Sequence, residues 1–173
     1  MKKVLLAICL CTVMLFVSCG ENGGEVTPAP TQVATIETVE FMTYVNDAFG
    51  FSLDFPVSWT GFYKVNDVDK SIISFNFVGK SEYSRKVEDG DGIPLFYITS
   101  KKGEGEKIGK VGKKTFYFIR GDETLFEDFK DQVETYMNMD GEAEETKFLQ
   151  EDYANIERML KDIDSIIETF KEV

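Results

Sequence analysis

The fold is decided by residues 39–59, which read VEFMTYVNDAFGFSLDFPVSW. Along residues 39–45, Val39, Phe41, Thr43 and Val45 alternate with a second set of residues. Large apolar side chains recur at every second position along residues 49–55. A period of two is typical of β-strands. The Asn-Asp pair at residues 46–47 supplies turn chemistry, and Pro56 ends the second run because proline cannot donate to a ladder. The stretch therefore predicts a β-hairpin.

The same hairpin carries a motif that extends to the tryptophan after it. Its residues are Tyr44, Asn46, Phe49-Gly50-Phe51-Ser52-Leu53, Phe55-Pro56 and Ser58-Trp59. The pattern resembles the opening hairpin of PsbP-like domains, a family that includes an extrinsic subunit of photosystem II and many small bacterial lipoproteins. The resemblance implies an antiparallel sheet flanked by helices. The manganese and calcium connections of the plant subunit are not carried over, because no matching ligand residues occur here, and no cofactor is expected.

Three aromatic residues of this region admit two interpretations. Phe51, Phe55 and Trp59 would line a ligand pocket if they faced a cavity, and they would fill the core if the sheet were covered. Large aromatic side chains dominate the apolar area that a domain buries. We therefore favour the interpretation as core residues.

The residues that follow predict further strands. Alternating apolar side chains indicate strands at three places, residues 71–78, 93–99 and 114–119. Pro94 places the second of these at a sheet edge or puts the proline among the first residues of the strand. Residues 80–92 are charged and rich in turn residues, and residues 101–112 are rich in glycine and lysine, so both are predicted to be connections.

From Asp122 onward the apolar spacing changes to three and four residues, which is typical of amphipathic helices. Asp122 is expected to cap the first helix. Residues 153–170 carry one continuous apolar stripe, which predicts a second helix. We expect this stripe to pack on the sheet rather than on a partner helix. Residues 37–173 are thus predicted to form one α+β domain, an antiparallel β-sheet flanked by helices.

The N-terminal region has the organisation of a secretory signal. Lys2 and Lys3 precede the apolar run Val4–Val17. A bilayer-spanning helix needs about 20 apolar residues, so this run is too short to span and suits the apolar region of a signal peptide. We predict a helical signal peptide over residues 1–18.

The run ends in a cysteine that is preceded by small residues. The sequence Leu15-Phe16-Val17-Ser18-Cys19 resembles the bacterial lipobox, in which the cysteine is lipidated and becomes the new N-terminus. Phe16 departs from the pattern, which usually has leucine at that position. We predict lipid attachment at Cys19. The alternatives are an ordinary secretory signal cut near Ser18 and an uncleaved anchor.

Residues 19–36 contain several glycines and prolines and no aromatic residue. Such a segment cannot bury enough apolar area to fold, so it is predicted to be a disordered, flexible linker behind the lipid anchor. Cys9 and Cys11 fall inside the predicted signal peptide. Cys19 is then the only cysteine of the mature chain, and no internal disulfide is expected.

The charge of the chain is acidic, −12 over 173 residues. Removal of the predicted signal peptide takes away two lysines and leaves −14. Nucleic-acid binding depends on lysine and arginine neutralising phosphates, so this charge argues against that class of partner. It also argues against electrostatic docking on an anionic membrane. Attachment to the membrane is therefore expected through the N-terminal lipid.

The absence of histidine limits the chemistry of this chain. It excludes Ser-His-Asp and Cys-His catalysis and zinc sites that use histidine. The glycine- and lysine-rich run at residues 103–115 invites comparison with a phosphate-binding loop. It fails because Lys107 stands where that motif requires its first glycine, and Thr115 lies one residue too far from Lys113.

Two acidic patterns remain as candidate sites. Glu88-Asp89-Gly90-Asp91-Gly92 clusters hard carboxylates of the kind that calcium prefers, but it lacks the spacing of an EF-hand loop. We expect an acidic turn there rather than a metal site. A carboxylate pair for glycoside hydrolysis is conceivable among 31 acidic residues, yet nothing in the sequence selects such a pair.

These observations predict a membrane-anchored, extracytoplasmic lipoprotein of a bacterial cell envelope. We expect a non-enzymatic binding or accessory module whose ligand or protein partner the sequence leaves open. No catalytic, cofactor-binding or metal residue is predicted. The alternatives are a carboxylate-based envelope hydrolase and a structural subunit of an envelope protein complex.

Overall fold

Eight strands and three helices follow one another along residues 39–87 and 91–173, the part of the chain that the computed structural model describes. The strands are β1 Phe41–Asn46, β2 Phe51–Pro56, β3 Tyr63–Asp69, β4 Ile72–Phe77, β5 Ile93–Thr99, β6 Glu106–Val111, β7 Lys114–Arg120 and β8 Lys171–Glu172. The helices are α1 Glu82–Lys86, α2 Glu123–Asp140 and α3 Glu144–Glu168, and a 3-10 helix covers Val57–Trp59. The predicted signal peptide, Cys19 and the predicted linker lie outside the described residues.

The predicted hairpin is present and belongs to a three-stranded antiparallel sheet, the hairpin sheet, in the order β1-β2-β8. Phe41 pairs with Pro56 and Asn46 pairs with Phe51, without a shift of register between them. Pro56 ends β2, as predicted. On the other side of β2, the short β8 pairs with Phe51 and Ser52.

The second sheet, the large sheet, has five antiparallel strands in the order β3-β4-β5-β7-β6. The predicted strands at β4, β5 and β7 are confirmed. The prediction of a connection over residues 101–112 is wrong, because Glu106–Val111 form β6, and β3 was not predicted. Both strands lie at edges of the sheet. Edge strands face solvent and carry many charges, which weakens the apolar alternation that indicates a strand.

Pro94 lies in the interior of the large sheet. It is the second residue of β5, whose neighbours are β4 and β7, so the expected place among the first residues of a strand is correct and the edge position is not. The pairing of β4 with β5 shifts between Phe75 and Asn76, and Asn76 lies opposite the proline. This irregularity allows a proline, which cannot donate a ladder hydrogen bond, to lie in the interior of the sheet.

Both predicted helices are confirmed. Asp122 caps α2, since its side chain accepts a hydrogen bond from the backbone N of Thr124 at 2.9 Å. α3 begins at Glu144, nine residues before the apolar stripe begins at Tyr153, because a largely polar first segment continues the same helix. The buried residues of α3 recur at helical spacing, so its apolar face packs into the domain.

The short helix α1, Glu82–Lys86, corrects the prediction of a turn-rich connection over residues 80–92. Ser81 caps it by accepting a hydrogen bond from the backbone N of Ser84 at 3.1 Å. A helix of five residues has no room for an apolar period, which explains why the spacing of apolar residues did not indicate it.

The core joins residues of both sheets and of the two long helices. Phe55 lies at its centre, and the rings of Trp59, Tyr63, Phe75 and Phe96 all have centroids within 6.5 Å of its own. Trp59 Nε1 donates a hydrogen bond to the Asp162 carboxylate of α3 at 3.0 Å, which ties the end of the hairpin to that helix.

The α+β class predicted from the sequence is confirmed, and the antiparallel strands form two sheets rather than one. Among the described helices, none combines the length and the hydropathy that crossing a bilayer requires.

Candidate functional site

Phe51, Phe55 and Trp59 are core residues. None of the three side chains has solvent-exposed area. Phe55 packs against Trp59 with ring centroids 5.3 Å apart, and Phe51 packs against Phe116 at 5.6 Å. The favoured interpretation of these aromatic residues is confirmed, and a binding site must be sought elsewhere.

Polar residues of the hairpin motif build the turn between β1 and β2. Asn46 Oδ1 accepts a hydrogen bond from the backbone N of Phe49, and Asn46 Nδ2 donates to the Tyr44 hydroxyl, both at 2.9 Å. Gly50 has a φ of 73°, which favours glycine, and its N donates to Asn46 O at 2.8 Å. These contacts hold the half-buried Phe49 ring beside the turn.

A groove of about 490 Å³ lies beside this turn, where three turns of the fold meet. The turns connect β1 to β2, β3 to β4 and β6 to β7. We call it the turn groove, and its lining residues are Ala48, Phe49, Asp67, Asp69, Lys70 and Lys114. Pockets that hold small molecules are usually about 300–1,000 Å³, so the turn groove has the size of a small-molecule site.

Asp69 is held ionised by its neighbours at one side of the turn groove. Lys101 Nζ lies 2.8 Å from Asp69 Oδ2, and the backbone N and hydroxyl of Ser71 donate to Oδ1 at 2.6 and 2.7 Å. The hydrogen bond from Lys101, followed by those from Ser71, lowers the pKa of Asp69 well below its ordinary value. A carboxyl group with a lowered pKa is a poor general acid near neutral pH.

Asp67, Lys70 and Lys114 have neither an ion pair nor a hydrogen-bond partner for their charged atoms within residues 39–87 and 91–173. Lys114 Nζ lies 5.7 Å from the centroid of the Phe49 ring, within the range of cation–π contacts. Phe49 in turn packs edge-on against Phe116 at 5.9 Å. The turn groove therefore presents charges of both signs beside an aromatic surface.

A fully buried polar cluster lies elsewhere, between α1 and α3. The Asp152 carboxylate accepts hydrogen bonds from the backbone N of Lys80 and of Ser81, and from the hydroxyls of Ser81 and Ser84, at 2.6–2.9 Å. A Cβ at Gly79 would overlap the Asp152 carboxylate. The carboxylate is thus saturated and closely packed, so the cluster joins α1 to α3 and leaves no space for a ligand.

The acidic turn Glu88–Gly92 lies partly outside the described residues, which exclude residues 88–90. The Asp91 carboxylate pairs with Lys64 Nζ at 2.8 Å, and the Asp91 carbonyl accepts a hydrogen bond from Asn76 Nδ2 at 2.9 Å. Within the part of the chain that the structure describes, no group of three acidic, histidine or cysteine side chains is placed to hold a metal ion. The expectation of an acidic turn stays a prediction.

The turn groove was not predicted from the sequence. Asp67 and Asp69 lie in β3, a strand that the sequence analysis missed, and Lys114 was considered only as the start of another strand and as part of the run compared with a phosphate-binding loop. Alternating acidic residues in Asp67-Val68-Asp69 are compatible with an edge strand, but their sequence separation from Phe49 and Lys114 gives no indication that the four side chains meet.

A comparison of the chain with family models, curated proteins and solved structures finds no match. The functional proposal therefore depends on the residues and geometry of this chain.

Proposed function

We propose that this chain is a membrane-anchored, extracytoplasmic bacterial lipoprotein whose PsbP-like domain is a non-enzymatic binding module. The turn groove is its binding site. The observation that carries this proposal is the presence of Asp67, Lys70 and Lys114, unpaired and of both signs, around the exposed part of the Phe49 ring.

The chemistry of the turn groove favours a small zwitterionic ligand with an apolar part. An anionic group would pair with Lys70 or Lys114, and a cationic group would pair with Asp67. The apolar part would cover Phe49, which already accepts the Lys114 ammonium group over its ring. Free amino acids and the termini of short peptides have this combination of charges. Hydrogen bonds to charged groups contribute about 1.5–3 kcal/mol each, so each charge affects the affinity measurably.

The position of the turn groove suits a tethered binding module. β1 begins at Phe41, separated from the end of the predicted linker by four residues, and ends at Asn46 beside the turn groove. Each residue of a strand advances the chain by about 3.3 Å, so the groove end of β1 lies roughly 17 Å from the start of the strand. The proposed lipid anchor at Cys19 is therefore connected to the end of the hairpin that lies away from the groove.

The binding proposal is tested with three related probes, phenylalanine, N-acetylphenylalanine and phenylalanine amide, in calorimetric titrations of the wild-type protein. We expect phenylalanine to bind and the two probes that lack one charge to bind roughly tenfold more weakly or worse, because each leaves one groove charge unpaired. Lys114→Met and Asp67→Asn are expected to weaken phenylalanine binding by a similar factor.

Lys130→Met provides the matched control, because Lys130 is exposed on α2 and lies outside the lining of the turn groove. It should leave the affinity unchanged. If none of the probes binds, or if Lys130→Met weakens binding as much as Lys114→Met, the turn groove is not the proposed site.

The anchor is tested separately. We expect Cys19→Ser to abolish the incorporation of labelled fatty acid, since the thiol of Cys19 is the proposed attachment point, and to release the chain from the membrane fraction. The measurement is autoradiography of the chain after growth with labelled palmitate. Cys11→Ser, within the predicted signal peptide, is the control and should retain the label. Equal labelling of Cys19→Ser and the wild type would refute the lipid attachment.

A further inference from the structure

β1 is an edge strand whose outer side has no strand partner within the described residues. The backbone N of Val57 donates to Glu40 O, and that of Gly50 donates to Asn46 O, both at 2.8 Å. Hydrogen-bonding directions alternate along an antiparallel strand, so the even-numbered residues of β1 face β2. The N–H and C=O groups of Phe41, Thr43 and Val45 consequently point away from the hairpin sheet.

The side chains along this edge are apolar and exposed. Val39, Phe41 and Val45 have 59%, 55% and 46% of their surface in solvent. The nearest charged side chains on the same face, Asp54 and Lys171, pair with each other at 3.2 Å. The edge thus combines open backbone groups with alternating apolar side chains and carries no unpaired charge on the outward residues of β1.

The two edges of the large sheet are different. β3 contains Lys64 and a shift of register between Asp67 and Asp69, and β6 contains lysines and a shift between Lys107 and Gly109. Lysines and bulges are the usual means by which proteins prevent sheet edges from pairing with other chains. β1 has neither, since its sequence FMTYVN contains no lysine or proline and its register is unbroken.

We propose that the outer edge of β1 pairs with β1 of a second copy of this chain, in an antiparallel arrangement with Thr43 opposite Thr43 of the other copy. In this register Phe41 of each copy lies opposite Val45 of the other, and all three outward-facing residues of each strand find a partner. Aromatic and β-branched residues form favourable cross-strand pairs. The two hairpin sheets then become one continuous six-stranded sheet with two-fold symmetry, the commonest symmetry of oligomers.

A bilayer surface fits this edge less well than a strand. Lipid would cover the side chains of Phe41 and Val45 but would leave the outward N–H and C=O groups without hydrogen bonds, which is costly in an apolar environment. A second strand covers these side chains and also forms hydrogen bonds with the outward N–H and C=O groups. The sequence of β1 also suits antiparallel pairing with itself. Phe41 and Val45 lie at equal distances on either side of Thr43, so an apolar residue of one copy always lies opposite an apolar residue of the other.

The test uses the full chain in the cells that express it. Thr43→Cys places two thiols opposite each other, where Cα atoms of a hydrogen-bonded antiparallel pair lie about 5.5 Å apart, within the range of a disulfide. We expect a disulfide-linked dimer on a non-reducing gel after mild oxidation. The wild-type chain, which contains Cys9, Cys11 and Cys19, is oxidised in parallel and gives the background.

Val45→Cys is the matched control on the same strand, since Val45 and Val45 of the other copy would lie roughly 13 Å apart along the pair and could not form a disulfide. A second variant, Val45→Lys in the Thr43→Cys background, places two lysines in the proposed interface and should reduce the linked dimer roughly tenfold. Equal crosslinking of Thr43→Cys and Val45→Cys, crosslinking of the Thr43→Cys chain to a different protein, or no product above the wild-type background would each overturn the proposal.

Discussion

Asp152→Ala is expected to lower the free energy of unfolding by about 3–5 kcal/mol. The substitution removes the acceptor for four donors, two backbone N–H groups and two hydroxyls, in a site without solvent access. Each buried donor left without a partner costs about 1–3 kcal/mol. Partial entry of water into the space left by the carboxylate keeps the total below the full sum. The measurement is urea denaturation followed by the fluorescence of Trp59, the only tryptophan of the chain.

Glu151→Gln is the matched control on the neighbouring residue of α3. Glu151 forms an exposed ion pair with Lys80 at 2.6 Å, and exposed pairs contribute about 1 kcal/mol or less. Asp152→Asn should fall between the two variants, because it keeps the shape of the side chain but presents an amide donor to other donors. Equal effects of Asp152→Ala and Glu151→Gln would show that the buried cluster does not stabilise the fold.

Phe55→Ala is expected to cost about 3–5 kcal/mol of folding stability, the range found for buried phenylalanine residues. Phe55 has no exposed surface and lies among the rings of Trp59, Tyr63, Phe75 and Phe96. Its removal leaves a cavity that these rings cannot fill without leaving their own packing positions. Urea denaturation, followed by far-ultraviolet circular dichroism, measures the loss without depending on Trp59, whose environment the substitution changes.

Tyr136→Ala serves as the control for this prediction. Tyr136 is an aromatic residue with 37% of its surface exposed on α2, so its truncation should change the free energy of unfolding by less than about 1 kcal/mol. A loss of stability at Phe55 as small as that at Tyr136 would mean that the aromatic cluster is not the main source of stability in this domain.

The hairpin and the long helices were predictable because their periods are strong and local. The alternation along residues 49–55 indicates a strand, and the spacing of apolar residues after Asp122 indicates helices. The edge strands β3 and β6 were not predictable in the same way, since solvent on one side of an edge removes the need for apolar residues there. The bulge opposite Pro94 depends on the partner strand, so the proline alone could not show whether β5 lies at the edge or in the interior of the sheet.

The candidate site could not be predicted from local patterns. Phe49 was part of a recognised motif, yet its position beside Asp67 and Lys114 depends on three turns that meet only in the folded domain. Asp152 belonged to a helix with many acidic residues, and nothing in its neighbours distinguishes it from the exposed Glu151. What separates them is the position of Gly79 and Ser81, some 70 residues earlier in the chain.

The pairing of β8 with β2 affects the order in which the domain is completed during synthesis. Phe51 and Ser52 acquire their second neighbouring strand only when Lys171 and Glu172 have left the ribosome. Until then the first hairpin is two-stranded, a state that is marginally stable in water. Contacts between such distant parts of a chain also slow folding. The hairpin sheet therefore gains its third strand only at the end of the synthesis of the described residues.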